Sequence, residues 1–179
     1  MGLPLGGCGC GTTTYVSPAQ TPVQQYAAPA PMATHDHNTA TAGGAGNGVR
    51  DPQQAQQWLD YIKAQVVPKF SDFDAAVAAG YKRNVASGND PMQHYIHDRM
   101  FSISDPNNVT YPASLMYDFD KGGKPVLSGI MISAKPGMTL PDFGAGAWHT
   151  HPADDRVNMH VWFDKTVEGG AFENNSGMV

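Results

Sequence analysis

Cysteine is nearly absent. Only Cys8 and Cys10 occur in the 179 residues, and both lie in the first ten. Everything after residue 50 therefore has no disulfide, no thiolate metal site and no cysteine nucleophile. Charge is scarce as well, at 15% of the chain, and its balance is acidic, with a formal net charge of −5. Such a chain lacks the basic surface that nucleic acid requires, so that partner class is excluded. No apolar run reaches the length of a membrane-spanning helix. A phosphate-cradling glycine loop, a Gly-x-Ser-x-Gly elbow and a His-Glu-x-x-His helix are missing too.

What is plentiful is Gly and Pro, 20 and 14 of them, a composition rich in loop or tail. The chain divides near residue 50. Residues 1–50 are mostly Thr, Ala, Pro, Gln and Gly, and only Asp36 and Arg50 carry charge. Such a stretch buries too little apolar surface to offset its chain entropy, so it reads as a flexible linker. Residues 51–179 hold all three Trp and fit one domain by length.

Leu5-Gly6-Gly7-Cys8 resembles a bacterial lipobox, where a signal peptide is cut and the new N-terminal Cys is lipidated. Small residues before the cut suit a peptidase cleft, and the Cys8 sulfur would take the lipid. The neutral linker that follows would hold a domain away from the membrane. The basic n-region and a full-length apolar core are missing, so the expected start lies upstream, with Met1 inside the signal peptide. Residues 1–50 are thus expected to be a truncated signal peptide plus linker. The expected location is extracytoplasmic, anchored to a bacterial membrane or secreted.

Past residue 50 the pattern predicts α+β architecture: two N-terminal helices packed on a small, mostly antiparallel sheet. Asp51 is a good N-cap and Pro52 suits the first helical position. Ala55, Trp58, Leu59, Ile62 and Val66 recur at helical spacing, and Pro68 should end the helix. Ser71 should cap a second helix, with Asp74 completing a capping-box-like pair and Phe70 stapling onto Ala75. Phe73, Ala76 and Val77 should face inward, and Gly80 should stop it. Residues 114–120 and 125–134 read as strands joined by Lys121-Gly122-Gly123-Lys124. Residues 147–151 and 158–163 read as a second pair. Residues 84–112 look irregular, with one strand around 94–97.

The histidines carry the chemistry. Five lie beyond residue 50, as His94-x-x-His97 and as His149-x-His151 followed by His160. On a strand, His149 and His151 share a face. A hairpin setting His151 opposite His160 and His149 opposite Trp162 would gather three imidazoles on one face. Met159, Val161 and Phe163 would then face the core. Converging imidazoles suit zinc or copper, and the nearby Met92, Met100 and Met159 would tilt the choice toward copper. His94 and His97 are further candidate ligands. A bland alternative is that these histidines are core residues hydrogen-bonded to backbone.

Ala79-Gly80-Tyr81, His94-Tyr95, Asp105-Pro106, Ser114-Leu115-Met116-Tyr117, the expected strand Val126–Met131, Trp148-His149-x-His151, Met159-His160-Val161-Trp162 and Gly170-Ala171-Phe172 together resemble a group of uncharacterised bacterial secreted proteins. The resemblance covers most of residues 72–173. It implies an extracytoplasmic location and a role for His94 and His160, and it implies no particular activity. The His-x-His pattern is also similar to that of the cupins, small barrels holding a metal, although the Glu of their motif is missing here.

Three functions compete: a lipid-anchored domain that binds, delivers or senses a transition metal; a metal-dependent enzyme using the same histidines; or a domain with structural histidines that binds a protein partner.

Overall fold

The computed structural model describes residues 49–85, 92–145, 148–150 and 155–173. Cys8, the linker before residue 49 and His151 lie outside the described residues.

Helix α1 runs Pro52–Phe70. The Asp51 carboxylate accepts a bond from the Gln54 N–H at 3.0 Å, as its N-cap position predicts. Ala55, Leu59, Ile62, Val66 and Phe70 form its buried stripe. Pro68 does not end it. Ala64, whose carbonyl loses a partner to the proline ring, is exposed with Pro68, so water can serve it. Phe70 then anchors the last turn: its ring packs edge-on against Tyr81, 5.2 Å between centroids, and the Tyr117 hydroxyl donates to its carbonyl.

That extension displaces the next cap. Ser71 closes α1, and Asp72 caps α2, Phe73–Ala78, by accepting from the Asp74 N–H at 3.1 Å. Phe73 and Ala76 turn toward the core, while Val77, expected inside, is 49% exposed. Gly80 ends the helix at φ +100°, with its N–H on the Val77 carbonyl and the Tyr81 N–H on the Ala76 carbonyl. This paired closure requires the left-handed backbone that glycine adopts freely.

Among the described residues six strands follow: β1 Lys82–Arg83, β2 Met92–Ile96, β3 Ser114–Phe119, β4 Pro125–Ala134, β5 His149–Thr150 and β6 Val157–Trp162. They pair antiparallel in the order β1-β2-β3-β4-β6-β5. The β3–β4 turn is tied by Asp120, whose carboxylate accepts from the N–H groups of Gly122 and Lys124, both at 2.8 Å. The 84–112 region is less irregular than its punctuation suggests. It also holds α3, Asp98–Ile103, which has no side-chain cap bond and no buried residue.

Strand alternation divides the sheet into two faces. Leu115, Tyr117, Ile130, Ile132, Met159 and Val161 join the α1 stripe in the main core. Residues of the opposite parity, Met116, Met131, Asn158, His160 and Trp162 among them, turn to the other face and are buried there too. Met92, Met116 and Trp162 form a second, small apolar cluster on it.

Candidate functional site

Residues paired across antiparallel strands share a face, so the register can be read off directly. His94 pairs with Met116, Met116 with Gly129, and Gly129 with Trp162. One step along, Ser114 pairs with Met131 and Met131 with His160. A further step brings Ser133, Asn158 and His149 into line. His94, His149 and His160 therefore lie on one face, from β2, β5 and β6.

Their rings meet. The centroids of His149 and His160 are 4.9 Å apart, and those of His94 and His160 are 5.5 Å apart. The second distance is the informative one. Two strands separate β2 from β6, so on a flat sheet their backbones would stand about 14 Å apart. The sheet must curl with this face concave, and the rings must lean inward. The sequence provides for both. Gly129 has no side chain to fill the hollow, and a Cβ there would fall 2.3 Å from the Val161 carbonyl oxygen. A bulge between Met116 and Tyr117 on the β3–β4 pair adds local twist. Ser114 is small enough for His94 to lean over it, with Nδ1 3.1 Å from Ser114 Oγ. The Ser114 hydroxyl donates to the Leu115 carbonyl at 3.2 Å.

His160 is 4% exposed, whereas His94 and His149 are half-buried. Trp162 walls one side, its ring 5.7 Å from that of His160, and the Lys165 ammonium lies over its outer surface at 4.8 Å. The Trp162 indole N–H is tied to the Glu173 carbonyl at 2.9 Å. Trp148 faces the main core instead, stacked with Phe143.

The register differs from the expected one. His149 lies opposite Asn158, not Trp162. The slip is four residues, an even number, and so it preserves the face. His97 is not brought to the cluster. A spacing of three on a strand points its ring away from His94, and it packs edge-on against Tyr81 at 5.3 Å. Its Nδ1 is buried there with no hydrogen-bond partner. His151 falls outside the described residues. Of the methionines singled out from sequence, Met92 is on the histidine face. Met159 is in the main core, and Met100 accepts a weak bond from Asn108 Nδ2. Sequence reasoning missed Met116 and Met131, the cross-strand partners of His94 and His160. It also missed Asn158. That side chain is fully buried, its Oδ1 accepts from Ser133 Oγ at 2.6 Å, and its Nδ2 has no hydrogen-bond partner.

Among the described residues, no three His, Cys, Asp or Glu side chains are grouped so as to hold a metal ion. What the face offers is three imidazoles at contact distance, bordered by thioethers, an indole and a buried amide. Comparison of the chain with protein-family models, with curated proteins and with solved structures finds no match.

Proposed function

We propose that the concave face binds a transition-metal ion through His149, His160 and His94, in a domain that is extracytoplasmic and lipid-anchored through Cys8. The observation that carries the metal reading is the ring spacing of 4.9 and 5.5 Å. Two imidazoles sharing one tetrahedral ion at about 2.0–2.1 Å per bond have centroids roughly 5 Å apart. The rings stand at that separation, and binding an ion would require each to turn a nitrogen inward about χ2, whose well is broad. The lipobox-like Leu5-Gly6-Gly7-Cys8 and the nearly uncharged linker support the anchored location. The role is binding, delivery or sensing of zinc or copper.

A second reading is favoured by Asn158. A metal-dependent enzyme presents a bound water or hydroxide, and a buried amide N–H on the same face is a donor for that oxygen.

The test is elemental analysis of the full chain, untagged and with Cys8→Ser and Cys10→Ser so that the tail thiols cannot bind. About one zinc or copper per chain is expected, lost in His149→Ala and in His160→Ala and kept in His97→Ala. A chain that stays folded, takes up neither metal and shows no thermal shift with either overturns the reading. The histidines are then structural, and the face is a surface for a protein partner.

A further inference from the structure

We infer that the histidine face is a soft-metal site, built for copper(I), in which the Met131 thioether is a ligand beside His149 and His160. This inference rests on the metal reading above.

Three observations carry it. The first is the register. Met131 is the cross-strand partner of His160, on the same face, so their Cβ atoms lie about 5 Å apart, within reach of both side chains. Met116 stands in the same relation to His94, and Met92 lies two residues along β2 on that face. Three thioethers and three imidazoles thus share one concave surface. The second is burial. Met131 is 5% exposed, Met116 fully buried and Met92 8% exposed. A metal held among them is desolvated, which penalises a strongly hydrated divalent ion more than a weakly hydrated monovalent one. The third is the donor set. Zinc favours closed sets of imidazole, thiolate and carboxylate, whereas the side chains paired with His94 and His160 are thioethers. Copper(I) is satisfied by fewer donors and selects thioether sulfur.

An ordinary apolar role competes, because methionine also fills irregular gaps. Met116 shows that role in part: its Cε would lie 2.6 Å from a Cβ placed on Gly129, so it covers the bare glycine, and it clusters with Met92 and Trp162. Met131 belongs to neither apolar cluster, although it is buried. Its neighbours in register are Ser114 and His160. That placement singles it out from the other two.

The test uses the full chain with Cys8→Ser and Cys10→Ser, loaded with copper(I) under reductant or with zinc. Copper(I) affinity is read by competition with a chromogenic chelator, and X-ray absorption reports sulfur in the coordination shell. With a sulfur-free reductant and no cysteine, any sulfur scatterer is a methionine. Met131→Leu should weaken copper(I) by about tenfold or more and remove the sulfur signal, leaving zinc affinity within about twofold. Met159→Leu, in the main core, should change neither. Leucine replaces methionine at nearly constant volume, so both variants should fold, which circular dichroism checks. If Met131→Leu binds copper(I) unchanged, or no sulfur is seen in the parent chain, the inference fails and a histidine-only site remains. If His160→Ala and the parent alike bind neither metal, the metal reading itself fails.

Discussion

At the scale of single residues, the concave face carries an electrostatic strain in Asp118. Burial pushes its carboxyl up from the usual range, and the Asp164 carboxylate adds to the rise; the Ser128 hydroxyl opposes it where it turns from the Met116 carbonyl to donate to the carboxylate. The folded chain therefore holds a proton at Asp118 to higher pH than the unfolded chain does. Between those two values the native state binds more protons, so its stability falls as pH rises through the upper carboxylate range. At neutral pH the penalty is fully present. Asp118→Asn keeps the shape and a hydrogen-bonding oxygen without the charge. Its melting temperature should match or exceed the parent's at pH 7, and that advantage should vanish below the carboxylate range. Melting curves at pH 7 and pH 3 decide it. A variant less stable than the parent at pH 7 would show that the Ser128 bond to the charged form outweighs burial. The buried Ser133–Asn158 pair is a different case. Neither side chain carries charge, so its contribution should not move with pH across that range.

At the scale of elements, β4 decides whether the histidines can meet. Gly129 is its hinge with two neighbours at once, since a Cβ would strike the Val161 backbone and the Met116 methyl, at 2.3 and 2.6 Å. The methyl can swing aside but the backbone cannot. Gly129→Ala should destabilise by about 2–3 kcal/mol, and the strand separation it forces should move His94 away from His160. Urea unfolding reads the first effect, and loss of metal binding in the still-folded fraction reads the second. An unchanged midpoint would mean that the close approach is not a feature of the native chain. The same strand shows what a sequence makes legible. Its bounds, Pro125–Ala134, follow from a short apolar run after a Gly-Gly turn, and the structure reproduces them. The two helices, the α+β class and the shared face of His149 and His160 are legible for the same reason: local periodicity is written in neighbouring residues. The β5–β6 register is not, because an even slip leaves every side chain on its face. Helix α3 carries neither a capping bond nor a buried stripe, so it has no pattern to read. Met131 and Met116 lie far in sequence from His160 and His94, and only pairing across strands brings them together. One signal was available: both occupy the same parity on β3 and β4 as Ser114 and Ser133, opposite to the Leu and Ile of the core.

At the scale of the whole molecule, the histidines sit far apart in the sheet order. β2 is next to one edge, and β5, only two residues long, is the other edge. Hydrogen bonds to one neighbour alone hold β5, as they do the opposite edge strand β1, so both edges are open to local unfolding. An ion bound by His94, His149 and His160 would connect the β2 side to that edge across the concave face. The native state alone assembles this set, so binding should stabilise it by about 2.7 kcal/mol at a free metal concentration a hundredfold above Kd. Where the protection appears is more diagnostic than its size. Amide exchange should slow at 149–150 and at 92–96 together when metal is added, because both ends of the bridge are pinned. In His94→Ala the ion keeps the ligands on β4, β5 and β6 and loses the one on β2. Protection should then rise at 149–150 and 157–162 and stay at its metal-free level at 92–96. If metal protects 92–96 equally with and without the His94 imidazole, His94 is not a ligand. Its contact with His160 would then be packing alone, and the site would be confined to the β5–β6 hairpin and the β4 residue paired with His160.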